Sequence, residues 1–367
     1  MHRGVAAQAL TIVTLMASVA GRLPAQNQPI QHPIAVADVG PEHLGTDWPG
    51  WFEWLDDTAI LLYRDTETTL TGAKVIRPAE FTRYDTRSHK RERLSNLEVC
   101  FARAGSCTAP MLSPDRKSLL WYPRGMLRPG VKFGAAIDGS HYFEWNAEYA
   151  GTIWAADSQS WAEIVDVTSS GNFDLDIVGT AAPLTHRNLD KDYVVLLHQL
   201  KSPEVTHKLK TTLPEAIAPH GLFGELQLLS NGHILVNITG LGDQFEEINL
   251  AELEPGRTFA VVSQYSIKMP PNESIDDLVY DIAHKRIAWL VSSSRRLGPS
   301  GDEQMYHSLW TSKLDGSEMS KVYSVPTGPG TYPDRQGAIS QVKWLPSGTR
   351  ISFVRGGKLW VVDAINR

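Results

Sequence analysis

Polar and apolar positions alternate along this chain in short bursts of period two, with little of the three-to-four spacing that marks a helix. One burst recurs: an aromatic or apolar residue, a polar turn, then an apolar strand. It reads WLDDTAILLY from Trp54, LSPDRKSLLWY from Leu112, WAADSQSWAEIV from Trp154, LLSNGHILV from Leu228, YDIAHKRIAWL from Tyr280 and WLPSGTRISFV from Trp344, at intervals of 42 to 74 residues. The turn residues have local reasons, since Gly takes positive φ, Pro presets φ, and Asp, Asn and Ser bond their own backbone. A strand-built repeat of this length predicts propeller blades. An α/β barrel would require eight amphipathic helices, which the pattern does not supply.

The expected fold is therefore all-β, a six-bladed β-propeller, with blades at about 50–98, 107–148, 149–214, 221–266, 275–326 and 337–367. Seven blades is the alternative, because RNLDKDYVVLLH from Arg187 fits the repeat. In the six-bladed reading, residues 172–192 are an insertion, and DYVVLLHQLKS and EVTHKLKTTL are the last two strands of blade three. The final unit supplies only three strands. HPIAVADV, residues 32–39, is expected to close the ring by pairing with Leu359 to Asp363, with Ile34, Val36 and Val39 buried.

Composition adds a compartment. A short basic start, an apolar run over Val5 to Ala20 and small residues up to Ala25 read as a secretory signal peptide, residues 1–25, followed by a single domain, 26–367. No other stretch is long and apolar enough to span a bilayer. Removing the leader leaves 33 basic against 41 acidic residues, a net charge of −8 compared with −6 for the whole chain. Such a surface repels phosphate, which argues against nucleic acid as a partner. In an oxidising compartment Cys100 and Cys107, the only cysteines, are expected to form a disulfide.

LSPDRKSLLWY and WLPSGTRISFV, with GAAIDGS and LWTSKLDGS later in their units, resemble the TolB-like, WD40-like propeller family. That family's repeat reads approximately W-S-P-D-G-K, an apolar strand, then a strand ending D-A-D-G. The resemblance implies a propeller and a role at the cell envelope.

In an up-and-down blade the first-to-second and third-to-fourth turns share one face, and here they are short. The long second-to-third links, including SSSRRLGPSGDEQMYH, and inter-blade links such as PTGPGTYPDRQG emerge on the other. Long loops on a rigid scaffold are where binding concentrates. The candidate ligand-binding residues there are Arg128, His186, Arg187, Arg295, Arg296, His307, Tyr332, Asp334 and Arg335. No G-x-S-x-G elbow, H-E-x-x-H or Gly-rich phosphate loop occurs, so no catalytic residue, metal or cofactor is assigned. The expected function is a secreted or periplasmic module, a monomer, that binds an envelope or extracellular protein or a small ligand. The alternative is a carbohydrate-active lyase or hydrolase whose site gathers His186, Gln304, His307 and Asp334 at the channel mouth.

Overall fold

The computed structural model describes residues 33–38, 51–64, 67–70, 73–76, 80–103, 110–122, 130–147, 151–166, 192–212, 227–229, 231–237, 247–256, 258–269, 274–297, 302–328 and 337–364. Strand β1 (Ile34–Asp38) comes first in the chain and belongs to the last blade. Blade one holds β2 (Trp51–Trp54), β3 (Ala59–Arg64), β6 (Glu80–Asp85) and β7 (Arg91–Arg93). Between its second and third strands, β4 (Glu67–Leu70) and β5 (Ala73–Ile76) make a separate hairpin. Helix α1 (Ser95–Ala102) follows.

Blade two is β8 (Met111–Leu112), β9 (Ser118–Trp121), β10 (Gly130–Ala136) and β11 (Phe143–Ala147), and blade three is β12 (Gly151–Trp154), β13 (Ser160–Asp166), β14 (Asp192–Gln199) and β15 (Ser202–Thr212). Blade four is β16 (Gln227–Leu228), β17 (Ile234–Asn237), β18 (Glu247–Glu254) and β19 (Ala260–Lys268). Blade five is β20 (Ser274–Asp281), β21 (Arg286–Leu297), β22 (Asp302–Lys313) and β23 (Ser320–Thr327). Blade six is β24 (Ser340–Trp344), β25 (Arg350–Arg355) and β26 (Lys358–Asp363), completed by β1. These six antiparallel sheets make a β-propeller. The seven-blade alternative fails because the DYVVLLHQ stretch is the third strand of blade three, paired with β13 along its length.

Six apolar clusters sit one to each seam and close the circle. Leu61 and Phe81 meet Trp121 and Phe133 between blades one and two. Trp145 meets Trp161 between two and three, and Ala162 and Val195 meet Val236 between three and four. Leu250 packs on Trp289 between four and five, Leu290 and Leu309 on Phe353 between five and six. Phe52 and Trp54 then pack on Val354 and Val361 between one and six.

The aromatic residue that opens the repeat has a bonding reason for its position. Trp154 and Trp344 donate indole N–H to Met111 O (3.0 Å) and Val279 O (3.3 Å) on the preceding blade, and Trp54 donates to Ser352 Oγ at 2.7 Å on blade six. The short turns follow the chemistry expected of them: Asp56, Asp157, Asn231 and Asp281 each accept backbone N–H groups two or three residues on. They also interlock around the ring. Ser347 N–H donates to Asp57 Oδ1 at 3.0 Å, and Asp115 N–H to Ser158 Oγ at 2.8 Å. Gly348 has φ +65, and a Cβ there would collide with His284 and Asp281 of blade five.

Closure by β1 is antiparallel to β26, with Ile34 opposite Val361 and Asp38 opposite Lys358. Burial along β1 differs from expectation. An irregularity between Ala35 and Ala37 breaks the alternation, so Val36 packs on the cluster between blades one and six while Ile34 is 71% exposed. A second correction concerns SSSRRLGPSGDEQMYH. Its described residues, 292–297 and 302–307, are strand and not loop: β21 and β22 run in unbroken register from Arg286↔Lys313 to Leu297↔Asp302. Its Ser, Arg, Gln and Glu have low strand preference, and the ladder, once started in the blade's core, carries them. Helix α1 was not expected either; Leu97, Cys100 and Phe101 fill the outer seam between blades one and two beside the three-residue β7. Cys100 carries a free thiol with Sγ 3.3 Å from Gly139 O, and Cys107, its expected bridge partner, lies outside the described residues.

Candidate functional site

The face that carries the second-to-third links bears two raised hairpins, β4–β5 on blade one and the outer half of β21–β22 on blade five. At the foot of the second, the seam between blades five and six holds a polar group of Asp276, Ser292 and His307. The register of β20 shifts between Ile275 and Asp277, and Asp276 is the extra residue. A bulge of this kind re-aims a side chain. Asp276 Oδ2 accepts a short hydrogen bond from Ser292 Oγ and lies 3.8 Å from His307 Nε2. Ser292 and His307 are direct cross-strand partners.

His307 is wholly buried, and its Nδ1 accepts the backbone N–H of Ile339 on the link into blade six, at 3.1 Å. An amide only donates, so in the neutral ring the hydrogen sits on Nε2, toward Asp276. The order of bonds then decides the chemistry. Ser292 donates to the carboxylate instead of to the imidazole, and the imidazole presents a hydrogen instead of a lone pair. This is not the relay that activates a serine nucleophile. It is a carboxylate held by a hydroxyl, with an imidazole nitrogen 3.8 Å away, and 14% exposed in its side chain. Beside it, burial pushes the Asp277 carboxyl up, against the pull of the Leu278 N–H and the Lys343 charge. Across the seam Gln341 takes φ +50, a left-handed conformation rare outside glycine, next to a second register shift in β24.

Of the residues selected from sequence, His307 lies at this seam. Arg295 and Arg296 lie on β21, in register with Gln304 and Glu303. Arg128, His186, Arg187, Tyr332, Asp334 and Arg335 lie outside the described residues. Gln304 directs its amide at Met305 O (3.0 Å) and Thr327 O (2.8 Å). His307 Nδ1 is taken by the Ile339 N–H, and His186 and Asp334, the other two residues of the lyase alternative, lie outside the described residues. Asp276 and Ser292 were missed. Their signal is present in ESIDDLVYD, where two consecutive acids interrupt an alternating strand.

Two further polar groups hold the ring together. Glu53 on the first strand of blade one pairs with Lys343 on the first strand of blade six at 2.5 Å and with Arg116 in the first turn of blade two at 3.6 Å. Between blades two and three, Glu163 accepts from Lys132 Nζ (2.8 Å) and Trp145 Nε1 (3.2 Å), and its second oxygen lies 3.5 Å from His198 Nε2. Lys132 Nζ also donates to Thr152 Oγ1 at 2.7 Å, and His198 Nδ1 donates to Pro203 O at 2.9 Å. Every polar side chain here is almost or wholly buried, so this cluster faces its neighbours and not a ligand.

No protein-family model and no curated protein sequence matches the chain. Among solved structures, hydrazine synthase of Kuenenia stuttgartiensis is 13% identical over 88% of this chain and 79% of its own, with a TM-score of 0.42. Acylaminoacyl peptidase of Pyrococcus horikoshii is 11% identical over 89% of this chain, with a TM-score of 0.42; the match spans 47% of the peptidase. The C-terminal WD40 domain of Sif2 is 11% identical over 93% of this chain and all of its own, with a TM-score of 0.41.

Proposed function

We propose that this protein is a secreted or periplasmic, TolB-like binding module that captures a segment of an envelope protein or a small ligand on its long-link face. The observation that carries the reading is the seam of blades five and six, where a bulge aims Asp276 beneath a projecting two-stranded ribbon. A rigid ring with a partly exposed carboxylate at the foot of a two-stranded ribbon has the form of a recognition surface. The bonding order at Ser292 and His307 favours holding a group over breaking a bond.

The test is capture from envelope extract on the full chain after export. The exported product is expected to have lost residues 1–25 by mass. Wild type is expected to retain a partner that the R295E/R296E and D276N variants retain at least tenfold less, while R87E on the tight-turn face captures normally. Equal capture by all of them, or none by wild type, defeats the reading.

A further inference from the structure

At the seam of blades two and three, two buried hydrogen-bond acceptors face each other. His198 on β14 stands opposite Trp161 on β13, and Glu163 lies two residues further along, on the same side of the strand. His198 Nδ1 is 2.9 Å from Pro203 O, and a carbonyl only accepts, so a neutral ring keeps its hydrogen on Nδ1. Nε2 then offers a lone pair. It faces Glu163 Oε2 at 3.5 Å, and neither atom has a hydrogen-bond partner among the described residues. Glu163 Oε1 is engaged by Lys132 and Trp145 of blade two, and neither side chain of the facing pair has exposed surface. Two unsatisfied acceptors in a closed seam are costly, and one added hydrogen serves both.

The surroundings favour that hydrogen. Trp161 lies flat against the imidazole, with ring centroids 5.3 Å and planes 4° apart, and the face of an indole attracts a cation. Lys132 of β10 opposes a second positive charge, but its Nζ is turned to Oε1 and to Thr152 Oγ1 and lies 5.6 Å from the Tyr122 ring. Strands β11 and β12 supply Trp145 and Thr152, which do not titrate. On β15, Lys208 stands opposite Leu196, and Lys201 in the preceding turn is exposed.

We propose that this pair takes up one proton from solvent, held between His198 Nε2 and Glu163 Oε2, and that the seam is thereby a pH-sensitive joint of the ring. With the proton in place Glu163 is anchored on blade three and presents Oε1 to Lys132 and Trp145 of blade two. When alkali removes it, the carboxylate and the imidazole lone pair repel, and the acceptor that joins the two blades is displaced. The proton belongs to the pair and not to either residue alone. In the unfolded chain the glutamate is ionised and the histidine gives up its proton above about pH 6.5. The folded pair keeps it there. Unfolding then releases one proton from this site, so stability falls as pH rises.

Nitrogen-15 NMR of the full exported chain with labelled histidine rings tests this at about pH 8, where an ordinary imidazole is neutral. One ring, absent from the spectrum of H198Q, is expected to carry hydrogen on both nitrogens. Urea unfolding supplies the second reading. Between about pH 7 and about pH 8 the unfolding constant of wild type is expected to rise by roughly tenfold, whereas H198Q, with a neutral amide in place of the ring, shows no such rise. The wild-type slope stands as a test even where H198Q fails to fold. A His198 ring with hydrogen on Nδ1 alone at about pH 8 overturns the proposal. So does a wild-type unfolding constant that is level over this range, or one that rises equally in H198Q.

Discussion

A carboxylate with no exposed surface keeps its charge only through its partners, and Glu163 has Lys132, Trp145 and His198. Burial pushes its carboxyl up, but the neighbouring His198 ring, 3.5 Å away, and the Lys132 ammonium outweigh that and hold it below its usual range. E163A leaves a buried ammonium and a buried imidazole without their common acceptor, which is expected to cost about 3–5 kcal/mol. Urea unfolding measures it; a loss under about 1 kcal/mol would show that the cluster contributes little. At this scale the sequence is least legible. Lys132, Glu163 and His198 sit in three separate alternating strands, and only the stacking of blade two on blade three makes them neighbours. His307 stood out as a histidine in a polar stretch, yet its neighbour Asp276 owes its direction to a bulge, which depends on how β20 pairs with β21.

The elements show their chemistry most clearly at the third-to-fourth turns. Asp85, Asp138 and Asp315 accept hydrogen bonds from Ser88, Ser140 and Ser317, which hold their carboxyls below the usual range. A depressed folded value means stability that is fully present above the unfolded value of about 3.9 and is lost as pH falls through the folded one. The urea midpoint is expected to be level from about pH 7 to 5 and to fall below about pH 4. The D85N/D138N/D315N variant is expected to show a shallower acid limb, and an unchanged limb would assign the acid sensitivity elsewhere. These turns were readable in advance because Asp-Gly-Ser and Asn-Gly bond locally, whatever surrounds them. The ribbon β21–β22 was not, because polar residues enter a strand there by extending a ladder begun by Arg286 to Val291. Helix α1 was hidden for a related reason: eight residues carry too little periodicity to stand apart from a loop.

For the whole molecule, the decisive contact is β1 on β26, the one place where distant parts of the chain complete a sheet. A chain beginning at residue 39 keeps five complete blades but leaves the outer edge of β26 open. It is expected to melt lower and to aggregate on heating where the full domain stays clear. Light scattering during a thermal ramp tests this, and identical traces would show that closure is dispensable. The six-fold ring was legible because the repeat is local: alternation, turn residues and an aromatic marker recur within each unit, and a unit with three strands needs a fourth. By itself the sequence determined the all-β class, the repeated blade, its tight turns and the strand that seals the ring, because each follows from side chains and backbone a few residues apart, while the pairing of β14 with β13 decided six blades over seven. Only the tertiary structure decided which polar residues meet across a seam and where bulges turn Asp276 inward and Ile34 outward. Those outcomes depend on register and on neighbouring blades, and neither is encoded within a single repeat.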